Sequence, residues 1–362
     1  MEQSTLVDEV AAEIELGLPA TAMRVAERLH RLNEVAARLA HDGLVRKLTM
    51  DPHDSSHLEV VGISTAHSSI PAFGGLLYGA SALAHGLRIA RTEVLDAWQI
   101  SRVKVGDIDY FGKEDRMRWQ QLMLVYEVLE ALLEERQPQI ILLDLPLFIS
   151  RREEATVSED AMIYAEWDAL ESQVNTFWAE RLSQVYPFNP DGVIIASLRS
   201  HSATSLFAAL LKNSNTSPDP VSDGLALFIQ QEWKILQQLG QSRLLDRVLS
   251  SSTRSVAYSY EDLDLDPRWQ PEELHHVGIL GLFLRARHQT GVWHIQVPGH
   301  RAQWSSETLD RLSVNLIRAT LYDDASAIPL PLWYAQQLVR FPRELLVAYR
   351  ERIEEKMKDL GD

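Results

Sequence analysis

The chain has 362 residues, 46% hydrophobic and 24% charged, which suits a globular protein with a sizeable core and excludes a disordered one. A formal charge of −16 excludes a broad nucleic-acid-coating surface, though a narrow basic channel stays open. Cysteine is absent, which rules out disulfides and thiolate zinc sites.

The N-terminus, "MEQSTLVDEVAAEIE", is acidic and has no signal-peptide core, and the Gly-rich "FGGLLYGASALAHGL" is too short to span a bilayer. A cytoplasmic protein with no membrane association is therefore expected. Residues 4–48 read as helical, with Leu29, Leu32, Val35 and Leu39 at three- and four-residue spacing, broken near Gly17 and Pro19 into a short and a longer helix. "HLEVVGIS", 57–64, reads as a β-branched strand, and residues 74–105 as two or three more. A helix is expected over 114–136, an apolar strand over 139–145, and a long amphipathic helix over 158–186 with Ser158 as its N-cap.

"GVIIASL", 192–198, is a further buried strand, followed by a helix in "SATSLFAALLK" and a polar loop over 213–224. A helical segment runs to about 249. Residues 277–298 read as a hairpin turning at "HQTG", and two helices, 305–321 and 332–358, close the sequence. Strands in a run, then alternating helix and strand, predict an α/β protein with a ribonuclease-H-like mixed sheet flanked by helices. The expected division is an N-terminal helical segment, 1–50, and a main domain, 51–362, with helical insertions near 151–190 and 222–250.

Chemistry centres on "QPQIILLDLPLFIS", 137–150, where Asp144 ends an apolar strand. A carboxylate there is costly unless something binds it. Two readings fit: a ligand for a divalent metal, or an edge-of-core residue that caps the next helix or pairs with Arg151 or Arg152. Glu127, 17 residues earlier, shares a helical face with Gln120, Glu130 and Glu134, a stripe that usually faces water. "EDLDLD", 261–266, lacks the glycine and closing glutamate of a calcium loop and reads as an exposed edge or loop. "DPHDSSH", 51–57, reads as a linker, and His294 and His300 have no defensible partner spacing. No phosphate loop, nucleophile elbow or zinc-helix motif is present.

Four segments together resemble the NurA family, the nuclease partners of the hexameric DNA-translocating ATPase HerA. They are "EVVGIS" with "PAFGGLLYGASAL", "YEVLEALLEERQPQIILLDLPL", "GVIIASLRSHSATSLFAALL" and "AIPLPLWYAQQL", spanning about residues 57–345. The resemblance implies a homodimer that docks on a HerA-type ring, handles DNA in end resection, repair or antiviral defence, and uses Mn²⁺ or Mg²⁺. It places the family's strand-end aspartate at Asp144 and its helical glutamate at Glu127, both as catalytic and metal-holding residues. The first-strand aspartate falls on Gly62, the C-terminal tyrosine on Ile328 and the histidine on Gln336. Losing the carboxylate that bridges two metals leaves two acids, able to hold one hydrated ion weakly. Glu59 cannot substitute, because an offset of three turns it to the other face of the strand.

The reading is thus a NurA-like subunit with lost or much reduced nuclease activity. The alternative is an active Mn²⁺- or Mg²⁺-dependent nuclease using Asp144 and Glu127. For contact with DNA the candidates are Arg151 and Arg152 after the metal-site strand, and Arg285 and Arg287 in the hairpin.

Overall fold

The structure is a computed structural model that describes residues 2–50, 56–90, 93–110, 112–147, 161–199, 206–212, 218–259, 277–287, 291–320 and 328–361. Helix α1 (Glu2–His41) leads to a short strand, β1 (Val45–Lys47). Then come three strands of 16 residues each: β2 (His57–Ala72), β3 (Gly75–Ala90) and β4 (Glu93–Ile108), joined as an antiparallel meander. Helix α2 (Lys113–Glu135) crosses back to β5 (Ile140–Leu143), which pairs parallel to β2 with Gly62 beside Leu142 and Ile63 beside Leu143. This crossover fixes Asp144, the residue after β5, beside Ser64.

Helix α3 (Ala161–Arg181) leads to β6 (Ile194–Arg199), parallel to β5. Helices α4 (Leu206–Lys212), α5 (Asp223–Gln231), α6 (Trp233–Leu239) and α7 (Gln241–Val248) follow, then β7 (Thr253–Ser255), β8 (Tyr258–Ser259), β9 (Ile279–Arg285) and β10 (Trp293–Pro298). The sheet runs β1-β7-β9-β10-β6-β5-β2-β3-β4, with β8 also on β9. Helices α8 (Ser306–Arg318), α9 (Leu330–Leu338) and α10 (Arg343–Gly361) end the chain. The expected α/β mixed sheet flanked by helices is what forms.

Strand alternation splits the core in two. Val61, Ile63, Ile141 and Leu143 turn to one face and meet α2 and α3 through Leu122, Val125, Leu129, Trp167 and Phe177. Val60, Leu58, Ile140 and Leu142 turn to the other face and meet α8 and α9 through Leu309, Leu312, Leu316, Leu330 and Leu332. A third cluster sits under α4–α7, where Leu32, Ala36 and Leu39 of α1 dock.

Several expectations need correction. Helix α1 is continuous, with Pro19 inside it. Pro19 has no N–H to give the carbonyl four residues back, but the good helix formers around it carry the helix through. The segment to 249 is three short helices, with Gly240 at φ 81 between the last two. The expected helix 332–358 is α9 and α10, split at residues 339–342, because Pro342 disfavours helical geometry at Phe341. Helix α3 is described from Ala161, so the Ser158 cap lies outside the described residues. The same holds for "EDLDLD", for the turn at residues 288–290, and for residues 51–55 of "DPHDSSH".

Candidate functional site

The site is built where the C-terminal end of β5 meets β2 under α9. Ser64 Oγ donates to Asp144 Oδ2 at 2.5 Å, and the Asp144 backbone N–H reaches the Ile63 carbonyl at 3.4 Å. The Gln336 amide donates toward the same carboxylate from α9. Oδ1 of Asp144 is buried with no partner at hydrogen-bonding distance. Burial raises the Asp144 pKa, and the contacts from Ser64, Gln336 and its own backbone N–H pull it back only in part. What holds Asp144 is therefore a small hydrogen-bonded clamp across β5, β2 and α9.

Gly62 lies two residues before Ser64 on the same face. A β-carbon there would fall 2.2 Å from the Leu332 backbone nitrogen, 2.3 Å from the Leu332 Cα and 2.4 Å from the Pro331 carbonyl carbon. Helix α9 rests its main chain directly on this glycine, so neither a methyl nor a carboxylate fits. Gln336 is one helical turn beyond Leu332, which carries it to Asp144. Ile328 packs against the apolar cluster on this face of the sheet.

Glu127 does not join this group. Helix α2 covers the opposite face of the sheet from Gly62, Ser64 and Leu142. There Glu127 is half-buried and raises the pKa of Glu130, a residue whose shift comes first from burial, with Arg181 lowering it and Glu134 and Glu180 also raising it. The stripe expected to face water is only partly wet: Gln120 is buried, Glu130 is half-buried and Glu134 is exposed. A 17-residue spacing fits a helix-to-strand connection on either face of a sheet, which is why spacing alone could not place the side chain.

Glu59 is turned away from Gly62, as its offset implies. It accepts from Trp98 Nε1 at 3.3 Å and pairs with Arg88 at 3.4 Å. With His57, Arg88, Leu95, Asp96, Gln137 and Gln139 it lines a cavity of about 400 Å³ near the start of β5, at the strand end away from Asp144.

Two aromatic groups were missed by the sequence reading. His85 stands opposite Gly62 in the β2–β3 register, and its ring packs against Tyr334 of α9 with centroids 5.1 Å apart. Its Nδ1 lies 3.2 Å from Gln99 Nε2, and burial lowers its pKa. Ser64 had a usable signal, since strand period 2 sets it on the face of Gly62. His85 and Tyr334 had none, because only the register of β3 and the seating of α9 bring them in.

Of the basic candidates, Arg285 is engaged internally: its guanidinium donates to the Asp246 and Leu249 carbonyls at 2.7 and 2.8 Å and pairs with the Asp246 carboxylate at 3.3 Å. Arg287 is half-buried two residues on. Arg151 and Arg152 lie outside the described residues.

A pair of bridged divalent metals does not fit these residues. Two cations need shared anionic ligands, but no side chain fits at Gly62, where one is expected, and no three His, Asp or Glu side chains gather among the described residues. Asp144 brings a single unpartnered oxygen.

No family model matches the chain, and no curated protein is similar to it in sequence. Among solved structures it is similar to human endonuclease V, catalytic domain, at TM-score 0.33 and 16% identity, covering 92% of this chain and 98% of that one. It is similar to a NurA structure with manganese at TM-score 0.41 and 10% identity, covering 92% and 96%. The NurA nuclease from Sulfolobus solfataricus aligns at TM-score 0.54 and 11% identity over 94% of this chain and 97% of that one, and this chain therefore has a NurA-like nuclease fold.

Proposed function

We propose that the chain is a NurA-like subunit that dimerises, docks on a HerA-type hexameric ATPase and guides DNA during end processing or defence against foreign DNA, with little or no cutting of its own. The observation that carries this reading is the contact between Gly62 and the Leu332 backbone. It leaves no space for a side chain at the position where the resemblance expects the first-strand carboxylate. Gln336 supports it too: an amide at Asp144 can hold the carboxylate but cannot carry a proton near neutral pH as an imidazole can.

A charge of −16 per chain makes strong DNA binding by the subunit alone unfavourable, since phosphate contact needs clustered Lys and Arg. In this reading the ring supplies most of the affinity and the subunit supplies a path. The test has two arms. Single- and double-stranded DNA with Mn²⁺ or Mg²⁺ should survive incubation with the purified protein; metal-dependent cleavage that disappears in Asp144→Ala would overturn the loss of activity. Purification from the native host should recover a hexameric ATPase whose hydrolysis rate changes on mixing. Recovering none, with an unchanged rate, would overturn the docking.

A further inference from the structure

Helix α1 is 40 residues long, and among the described side chains its last turns supply its buried contacts with the rest of the protein. Leu32, Val35, Ala36 and Leu39 are buried under α4–α7, whereas every residue from Glu13 to Arg31 is exposed. Those 19 residues alone extend about 28 Å at 1.5 Å per residue. The exposed part is not polar all round. Val10, Ile14, Leu18, Ala22, Val25 and Leu29 follow one another at four- and three-residue steps. At 100° per residue they fall in one arc, the same arc that carries Leu32, Ala36 and Leu39 into the core. Ile14 is 60% exposed, Leu18 55% and Val25 45%. A buried stripe thus continues beyond the body of the protein with nothing covering it among the described residues.

The charges along α1 say what fits that stripe. Residues 2–18 hold Glu2, Asp8, Glu9, Glu13 and Glu15 and no base; residues 19–41 hold Arg24, Arg28, Arg31 and Arg38 against Glu27 and Glu34. A parallel neighbour of the same sequence would set acids against acids. An antiparallel one sets the acidic half of each helix beside the basic half of the other, with Val10 opposite Leu29 and Ile14 opposite Val25 about the midpoint of the stripe.

We infer that α1 pairs with α1 of a second copy of this chain, antiparallel, through the stripe Val10, Ile14, Leu18, Val25 and Leu29. This deepens the dimer of the preceding reading by placing its interface, but it rests on α1 alone. In a helix pair of this kind the apolar seam gives the attraction and the flanking charges set the direction.

Light scattering on the full chain at micromolar concentration tests it. The wild type should show twice the 41.1 kDa chain mass, and Ile14→Asp combined with Leu18→Asp should halve it while leaving the thermal unfolding of the body cooperative. These side chains are exposed in the single chain, so their replacement does not disturb its core. The absence of native cysteine allows a second readout. Mixed under oxidation, chains carrying Val10→Cys and chains carrying Leu29→Cys should cross-link to each other in preference to themselves. A double-aspartate variant that stays dimeric would overturn the inference while sparing the dimer; a monomeric wild type would overturn both. Like-with-like cross-linking would overturn the antiparallel arrangement. So would capture of α1 by an ATPase ring or an anionic lipid vesicle in a chain that remains monomeric.

Discussion

The Leu332 main chain lies so close over Gly62 that a β-carbon on that glycine would sit 2.2 Å from the Leu332 nitrogen. A side chain in the way could rotate; a helix backbone cannot, so the strain must move α9 as a whole. Gly62→Ala is expected to lower stability by about 1–3 kcal/mol, the usual cost of overpacking. Gly62→Asp should cost more, because it also buries a charge. Thermal denaturation checks both. Since the clash is with backbone, Leu332→Ala should not rescue Gly62→Ala, and a rescue would show that the contact is misassigned to the main chain.

The clamp at Asp144 gives a pH signature. Its pKa is raised in the folded chain, chiefly by burial. The folded state therefore holds the proton more tightly than the unfolded one. This contribution to stability is complete below the ordinary aspartate value of about 3.9 and is lost as pH rises through the raised folded value. Asp144→Asn keeps an acceptor for Ser64 and never ionises, so its melting temperature should gain on the wild type as pH rises from acid to neutral. Asp144→Ala leaves Ser64 and Gln336 without their acceptor and should cost about 1–3 kcal/mol at any pH. A difference between Asn variant and wild type that stays flat with pH would show that Asp144 does not titrate as its burial implies.

The strands, α2 and the β5 crossover were legible because their apolar runs and periods are local properties. Asp144 was legible for the same reason, as one acid at the end of "IILLD". The rest depends on which face of the sheet a connection takes. Glu127 sits in a helix whose position in sequence suited the site, yet α2 covers the face away from Gly62. His85 and Tyr334 come from elements nearly 250 residues apart, and only the register of β3 and the seating of α9 place their rings together. Propensity predicts breaks at Gly17 and Pro19, but it is a weak prior and the helix runs through both. The split at Phe341–Pro342 follows a steric rule that the Phe-Pro pair carries in the sequence itself.

Arg285 is expected to matter for stability before it matters for DNA. Its guanidinium bonds two carbonyls of the α7 C-terminal region and the Asp246 side chain, tying β9 to α7. Arg285→Ala should lower stability by about 1–3 kcal/mol through the unpaired carbonyls it leaves behind. Salt-dependent DNA retention by wild type and variant, measured below both melting temperatures, should differ little. A large drop in retention with no change in melting would assign the residue to the DNA path instead.

Arg254 and Asp219 form the most buried ion pair described, both side chains at 0% exposure and joined by two hydrogen bonds of 2.6 and 2.8 Å. Arg254 also reaches Asp310 at 2.6 Å, and Arg46 approaches Asp219 at 3.3 Å, so the group binds β7 and β1 to the start of α8. Burial alone would raise the Asp219 pKa, but the guanidinium fork, Ser306 and the Ala257 N–H outweigh it and hold the carboxyl below its ordinary range. A lowered folded pKa reverses the sign found at Asp144. The contribution is complete above about pH 3.9 and is lost as pH falls through the lowered folded value. Asp219→Ala leaves a buried guanidinium short of its main partner, for which about 3–5 kcal/mol is the expected loss near neutral pH. Removing both charges, with Arg254→Met added to Asp219→Ala, should recover part of that loss, because most of the penalty belongs to the stranded cation and not to the missing attraction. If the double variant proves less stable than Asp219→Ala, the remaining bonds of Arg254 to Asp310 and Ser306 outweigh the cost of its burial, and the stranded-cation account fails.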